Sequence, residues 1–349
     1  MKNKIKLGSH YISPNSKPYI IAELSGNHNG SLQNAIKLVK IAAKSGAQAI
    51  KLQTFKPDQI TLKCNKKDFK ISDKSSPWKG KYLYDLFQKA YTPWHWHKKI
   101  FDTAKKYNLD YLSTPFHEDA VDYLNKLNVP FFKIASFENN HIPLIEKIAK
   151  TNKPVLISTG MATFKELKNI TKIFKKYKNE KLIFLKCVSS YPATHESFNL
   201  KTIEDIKKNF NCLTGLSDHS LDSTAAISAL SLGAKVFEKH ITINNEKTID
   251  SFFSSDEDLF KTYVQNIKNA WKCYGKVFYG STKSESSSLQ ERRSLYVCQN
   301  IKKGERFTTQ NVKVIRPSFG LSPKYFNKIL NKKSKKKLFF GQPFKKEYF

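Results

Sequence analysis

Two histidines and two lysines carry the first chemical signal in this chain. His219, in GLSDHS, and His240, in KVFEKHIT, stand twenty-one residues apart. Two imidazoles facing one cavity suit a borderline divalent ion such as Mn²⁺, Co²⁺, Fe²⁺ or Zn²⁺, with water and substrate taking the open positions. Taken alone, a pair at this spacing is better read as two unrelated core or surface residues, so the elements that carry them decide. Lys51, in IKLQ, and Lys133, in FFKIAS, lie inside apolar runs. A lysine there needs an anionic partner or a lowered pKa. One reading is Schiff-base chemistry on a lysine amine. The other is a cradle for a phosphorylated carboxylate, in which Thr114, Ser136, Ser158, Ser189 and Ser217 add hydroxyls to the two ammonium groups.

The elements that must position these groups alternate. Short apolar, β-branched runs at 19–24, 47–53, 109–114, 131–135, 154–159, 182–188, 212–217 and 235–240 read as strands. Segments of helical period lie between and after them, at 31–46, 92–108, 118–128, 142–151, 163–178, 200–210, 223–233 and 256–275. Gly46, Asn108, Asn128 and Gly233 mark helix stops. Eight strands alternating with eight helices predict an α/β protein with a (β/α)₈ TIM barrel. A doubly wound open sheet is the alternative, but no glycine-rich phosphate loop follows the first strand.

A barrel gathers the C-terminal ends of its strands on one rim. Each predicted strand delivers polar residues to that end: Glu23; Lys51 and Gln53; Ser113 and Thr114; Lys133 and Ser136; Ser158 and Thr159; Lys186 and Ser189; Ser217, Asp218 and His219; Glu238 and His240. Strands seven and eight are neighbours, so His219 and His240 are expected side by side. His28, in NHNG after strand one, is expected to line the same rim. His95, His97 and His195 read as structural.

The barrel is expected over 1–275. Residues 276–290, rich in Ser and Gly, read as a linker, and 291–349 as a small β-rich domain broken by turn signals such as KKGE. Residues 56–91 form a long excursion after strand two, of the kind that covers a site. The 349 residues carry a net charge of +32, yet only Arg292, Arg293, Arg306 and Arg316 among the 61 basic residues are arginine. Lysine spread over every element coats a surface, whereas base readers and phosphate clamps favour arginine, so nucleic-acid binding is not expected. No membrane span or signal peptide is expected either. Five scattered cysteines without a CxxC pair point to a reducing cytoplasm.

At IAELSGNHNGSLQNAIKLVKIAAKSGAQAIKLQTF, LSTPF, KIASFE, ISTGMAT, GLSDHS and FEKHIT, the chain resembles the sialic-acid synthase family of bacterial nonulosonate synthases. The stretch RRSLYVCQNIKKGERFTTQNVKVIRP is similar to that family's C-terminal antifreeze-like (SAF) domain. GKYLYDLFQKAYTPWHWHKK and KIASFE favour the pseudaminic acid branch, while His95 and NNHIPLI depart from it. N-acetylneuraminate and legionaminate products stay as alternatives, with a lysine aldolase more distant.

The resemblance implies a transferase that condenses phosphoenolpyruvate with an N-acetylated amino sugar. His219 and His240 would hold a divalent metal, Mn²⁺, Mg²⁺ or Co²⁺. Lys51, Thr114, Lys133, Ser136, Ser158, Ser189 and Ser217 would bind phosphoenolpyruvate. Glu23 would manage protons at the sugar's reacting end, and Gln53 would contact the sugar. Arg316 would reach an N-acetyl group from the partner subunit of a domain-swapped homodimer.

Overall fold

A computed structural model describes residues 3–73 and 76–349, which fall into two compact units, Met1–Gly275 and Lys276–Phe349. The first unit opens with a hairpin that the sequence reading did not foresee, β1 (Ile5–Leu7) and β2 (His10–Ile12), paired antiparallel. Its turn passes through Gly8 at φ +55°, pressed so closely on Asp110 that a Cβ would collide with the carboxylate. Asp110 in turn accepts from Ser9 N–H and Tyr19 Oη–H, each at 2.8 Å. Ile5, Leu7 and Ile12 pack with inward-facing residues such as Ile21, Leu112 and Val236, so the hairpin closes one end of the barrel.

The eight predicted strands form the barrel: β3 (Tyr19–Glu23), β4 (Ala49–Thr54), β5 (Asp110–Pro115), β6 (Phe132–Ile134), β7 (Val155–Ser158), β8 (Leu182–Cys187), β9 (Leu213–Asp218) and β10 (Val236–His240). They pair in parallel in chain order and β10 returns to β3, so the sheet is closed. Their outward faces join the helices in one large core, and both faces are dry, which is why the strands read as continuous apolar runs.

The helices are α1 (Leu32–Ser45), α2 (Pro57–Ile60), α3 (Leu83–Ala90), α4 (His97–Lys106), α5 (Glu118–Lys126), α6 (Ile142–Lys150), α7 (Phe164–Lys176), α8 (Thr202–Phe210), α9 (Thr224–Ser231) and α10 (Glu257–Tyr274). Their ends follow local chemistry. Ser31 caps α1, and Thr163 with Glu166 forms a capping box on α7. Gly46, Asn108, Asn128 and Gly233 all adopt the left-handed conformation that ends a helix. Helices α2 and α3 belong to the 56–91 excursion, of which 74 and 75 lie outside the described residues. Among the described residues, no helix is long and apolar enough to cross a membrane.

In the second unit, residues 276–293 are exposed and carry two short 3₁₀ turns. Strands β11 (Ser294–Val297) and β12 (Val312–Ile315) then pair antiparallel. With α11 (Phe326–Ile329) they enclose a small core that includes Leu295, Phe307, Ile329 and Phe344.

Candidate active site

Side chains alternate along a strand, so the residues two and four positions beyond the inward-facing apolar layer also face inward. At the rim these are Glu23, Lys51 and Gln53, Thr114, Lys133, Ser158, Cys187, Ser217, and finally Glu238 and His240. Outward-facing partners take structural roles. Ser113 Oγ donates to the Leu52 carbonyl at 2.8 Å, and Lys186 Nζ donates to the Cys187 carbonyl at 3.4 Å.

The centre of the rim is a buried chain of charges. Lys51 Nζ lies 2.7 Å from Glu23 Oε2 and 3.5 Å from Glu238 Oε1, and it donates to Thr114 Oγ1 at 3.0 Å. Lys133 Nζ donates to the same Glu238 oxygen at 3.1 Å, and Ser217 Oγ approaches it at 3.4 Å. Burial penalises every charge here. It pushes the Glu23 carboxyl up, and repulsion from Glu238 adds to this against the pull of Lys51. Glu238 is buried as deeply, but Lys133 and Lys51 outweigh that and hold its carboxyl low. Lys133 is lowered because burial exceeds the attraction of Glu238. Lys51 feels the same burial yet is raised, since it sits between both carboxylates.

His219 and His240 do stand together. Their ring centroids are 5.3 Å apart at an interplanar angle of 63°. His219 Nδ1 lies 2.8 Å from the Val188 carbonyl, which leaves Nε2 as the free lone pair. Burial opposes protonation of His219, but the Cys187 thiol 3.9 Å away and the Val188 carbonyl raise it. Burial, then the charges of His219 and the two lysines, push His240 well below the ordinary imidazole range, so it is neutral. His240 Nδ1 is buried and has no hydrogen-bond partner among the described residues.

This donor set fits a borderline divalent cation: two neighbouring imidazoles with ring nitrogens available. Among the described residues no third His, Cys, Asp or Glu completes a ligand cluster. Behind the wall, Lys239 fixes the loop that carries His219. Its ammonium lies 3.6 Å from Asp218 and donates to the Ser220 carbonyl, while Asp218 accepts from Ser220 N–H at 2.8 Å.

The remaining predicted residues divide. Ser136, Ser158 and Ser217 line the cavity with both lysines and both histidines. Ser158 Oγ has no hydrogen-bond partner among the described residues. Ser136 Oγ accepts from Gly160 N–H at 3.2 Å, and a Cβ on Gly160 would collide with both Ser136 and Ser189. Ser189 therefore sits beside the cluster, although outside the cavity lining. Glu23 and Thr114 are fully buried behind Lys51, also outside the lining. Gln53 lines the cavity and reaches Ser25 Oγ at 3.3 Å, and Ser25 donates to Asp250. Arg316 is exposed at the end of β12 in the second unit.

His28 does not line the rim. Asn29 and Gly30 turn through left-handed conformations, and the imidazole packs against Trp96 while bonding Thr92 Oγ1 at 3.1 Å.

Several lining residues had no role assigned from sequence. Glu238 shares its face of β10 with His240, so its inward direction was legible, but its contact with both lysines was not. Tyr191, Phe253 and Asp250 come from loops without periodicity. Tyr191 lies 4.4 Å from the His219 ring and Phe253 4.8 Å from His240. Glu138, two residues beyond Ser136, is pushed up to about 7 by burial.

The cavity has a volume of about 450 Å³, and the 56–91 excursion supplies part of its lining. Ile60, Ile71, Trp78, Leu83, Leu86 and Phe87 line it there. Trp78 Nε1 donates to the Ile249 carbonyl at 3.0 Å, and its ring meets Phe252 at 5.6 Å and Tyr191 at 6.1 Å.

Residues 38–279 match the NeuB family, and residues 292–348 match the SAF domain. The chain is 44% identical over 337 residues to a pseudaminic acid synthase from Campylobacter jejuni subsp. jejuni serotype O:23/36, covering 95% of this chain and 97% of that protein. It is 39% identical to the pseudaminic acid synthase of Helicobacter pylori over 93% of this chain and 96% of that one. Among solved structures, an N-acetylneuraminic acid synthetase from Leptospira borgpetersenii, in complex with citrate, superposes with a TM-score of 0.72. The identity is 28%, and the match covers 83% of this chain and 96% of that one. The chain belongs to the NeuB family.

Proposed function

We propose that this NeuB-family chain is a transferase of the pseudaminic acid synthase type. It condenses phosphoenolpyruvate, water and the open-chain aldehyde of a 2,4-diacetamido-2,4,6-trideoxy hexose to a nine-carbon α-keto sugar acid and phosphate. The observation that carries this reading is the cavity floor, where two lysine ammonium groups, a run of hydroxyls and two adjacent imidazoles meet.

Lys133, Ser136, Ser158 and Ser217 face the cavity and bind the anionic donor, with Lys51, held by Thr114, completing the positive charge and Ser189 closing the side near Gly160. Preorganised cations and hydroxyl donors in a dry site stabilise the charge that develops as the reaction proceeds. Bound by His219 and His240, a divalent cation (Mn²⁺, Mg²⁺ or Co²⁺) supplies Lewis-acid polarisation of the sugar aldehyde. C3 of phosphoenolpyruvate forms the new bond to the aldehyde carbon, whose oxygen takes up a proton. Water adds at C2 and loses a proton, and the C2–O bond then breaks to release phosphate. Glu23, joined to Lys51 behind the floor, exchanges a proton with that lysine next to the reacting end. Gln53 orients the sugar. Arg316 reaches its N-acetyl group from the partner subunit of a domain-swapped homodimer. The enzyme works in the cytoplasm, in keeping with its free cysteines.

Phosphate release from phosphoenolpyruvate, assayed against diacetamido-dideoxy hexoses and N-acetylmannosamine, tests the reading. Release is expected with the diacetamido trideoxy sugar, and phosphoenolpyruvate labelled with ¹⁸O at the bridging position is expected to place the label in phosphate. Label in the keto acid, or turnover without any sugar, would sink the condensation. A lysine aldolase would instead be trapped by borohydride with pyruvate on Lys133 or Lys51.

A further inference from the structure

We infer that Lys239, which does not reach the cavity, is a positioning residue for the histidine pair. With Asp218 it sets the spacing of His219 and His240, and through that spacing the affinity for a divalent cation. The inference rests on the reading of the two histidines as the cation's ligands and adds to it the residues that hold those ligands in place.

The backbone alone does not fix this spacing. The pairing of β9 with β10 runs from Gly215 and Val236 to Asp218 and Lys239, and among the described residues it goes no further. His219 and His240 each lie one position beyond that last pair. Val188 holds the His219 ring, and Ala193 N–H donates to the His219 carbonyl at 3.0 Å, but neither residue belongs to β10.

Side chains on the other face of the wall span the gap. Residues alternate along a strand, so with Glu238 and His240 facing inward, Lys239 faces the helices. Its ammonium lies there 5.1 Å from the centre of the Tyr263 ring on α10. Asp218 stands opposite it on β9, and each is 1% exposed. Lys239 donates to the Ser220 carbonyl and lies 3.6 Å from Asp218 Oδ2. Asp218 Oδ1 accepts from Ser220 N–H at 2.8 Å and from Ser220 Oγ at 2.7 Å. The three residues close a ring around the backbone of His219, and at its Lys239 corner the next residue along the chain is His240. Neither Lys239 nor Asp218 lines the cavity.

A buried ion pair is a weak source of stability, because an apolar pair of similar size packs as well without the desolvation cost. Its use here is direction: the ammonium meets one carbonyl and one carboxylate at defined places. Groups that orient metal ligands from behind contribute about ten- to a hundredfold in metal affinity.

The test is a titration of the full-length protein with Mn²⁺, followed by electron paramagnetic resonance. Lys239→Met alone leaves the Asp218 carboxylate buried without its cation and destabilises the barrel. The deciding variant therefore combines Lys239→Met with Asp218→Asn, which removes both charges and keeps an acceptor for Ser220. Its Kd for Mn²⁺ is expected to rise about ten- to a hundredfold. Far-UV circular dichroism, and KM for phosphoenolpyruvate at saturating Mn²⁺, are expected to match the wild type. Phosphate release, reduced at low Mn²⁺, is expected to recover as Mn²⁺ is raised. Wild-type Mn²⁺ affinity in the folded double variant overturns this inference alone. So does a double variant that fails to fold, or one whose activity no Mn²⁺ concentration restores, since the pair would then support the barrel and not the ligands. Absence of Mn²⁺ binding in the wild type overturns the reading of the histidines as ligands, and this inference with it.

Discussion

The two faces of the cavity are built by different rules. The floor comes from eight strands in fixed register, in which a side chain's direction follows from its parity. Much of the apolar lining comes from a single excursion, 56–91, held by Trp78 among Tyr191, Ile249 and Phe252 and by Phe87 against Phe55. The floor is rigid, charged and suited to reacting atoms. The residues by which the excursion lines the cavity are apolar among the described residues and suited to shape. A barrel can thus keep its strand-end groups while loops shape the rim.

That division has consequences that separate rate from recognition. The largest effect is expected on the floor: His219→Ala removes one of two imidazoles and lowers kcat by at least about a thousandfold. Far-UV circular dichroism should be unchanged, and Mn²⁺ binding followed by electron paramagnetic resonance should be lost. Retained metal binding would detach the histidine pair from the chemistry. Lys133→Met is expected to lower kcat by about 10²–10³. It should also destabilise the barrel by about 3 kcal/mol in urea, because Glu238 loses one of two buried partners. A rise in sugar KM alone would break the distinction between the faces.

On the recognition side, Trp78→Ala is expected to raise the sugar's KM about tenfold with a smaller loss in kcat, since it loosens the excursion and acts on the histidine pair only through Tyr191 and Phe253. Arg316→Ala should do the same to the sugar and leave phosphoenolpyruvate alone. Equal effects on both substrates would argue against a contact from the partner subunit.

The smallest effect concerns the attachments of the excursion. His97 Nε2 bonds Thr54 Oγ1 at 2.7 Å where the excursion leaves β4, and His28 bonds Thr92 where it returns. Burial pushes both imidazoles down to about 4. Unfolded, each takes a proton near 6.5, so the unfolded state gains protons first as pH falls. Stability contributed by these residues is therefore full above pH 6.5 and declines from there towards pH 4, by up to about 3 kcal/mol for each histidine. Hydrogen exchange should show residues 56–91 opening in that window before the barrel strands. Opening of the strands first would place the weak point on the floor.

Much of the fold was legible from local pattern. Apolar runs gave the eight strands, and left-handed Gly46, Asn108, Asn128 and Gly233 end their helices where the stops were read. The N-terminal hairpin was not legible. Ile5, Leu7 and Ile12 alternate over too few residues to stand out, and they are ordered by contact with the barrel interior. His28 misled because its position after β3 resembles a rim position, whereas its ring is held against Trp96 and Thr92, outside the cavity lining.

The site divides in the same manner. Sequence alone determined which side chains face inward, because the period of a strand is two whatever surrounds it, and so His240 and Glu238, or Lys51 and Gln53, necessarily share a face. Only the tertiary structure decided which of them touch. The ion pair between Lys133 and Glu238 spans 105 residues, and its geometry depends on barrel closure, which no local pattern encodes. The same holds for Asp250, Tyr191 and the excursion: segments without periodicity take their positions from what they pack against, and that is a property of the folded molecule alone.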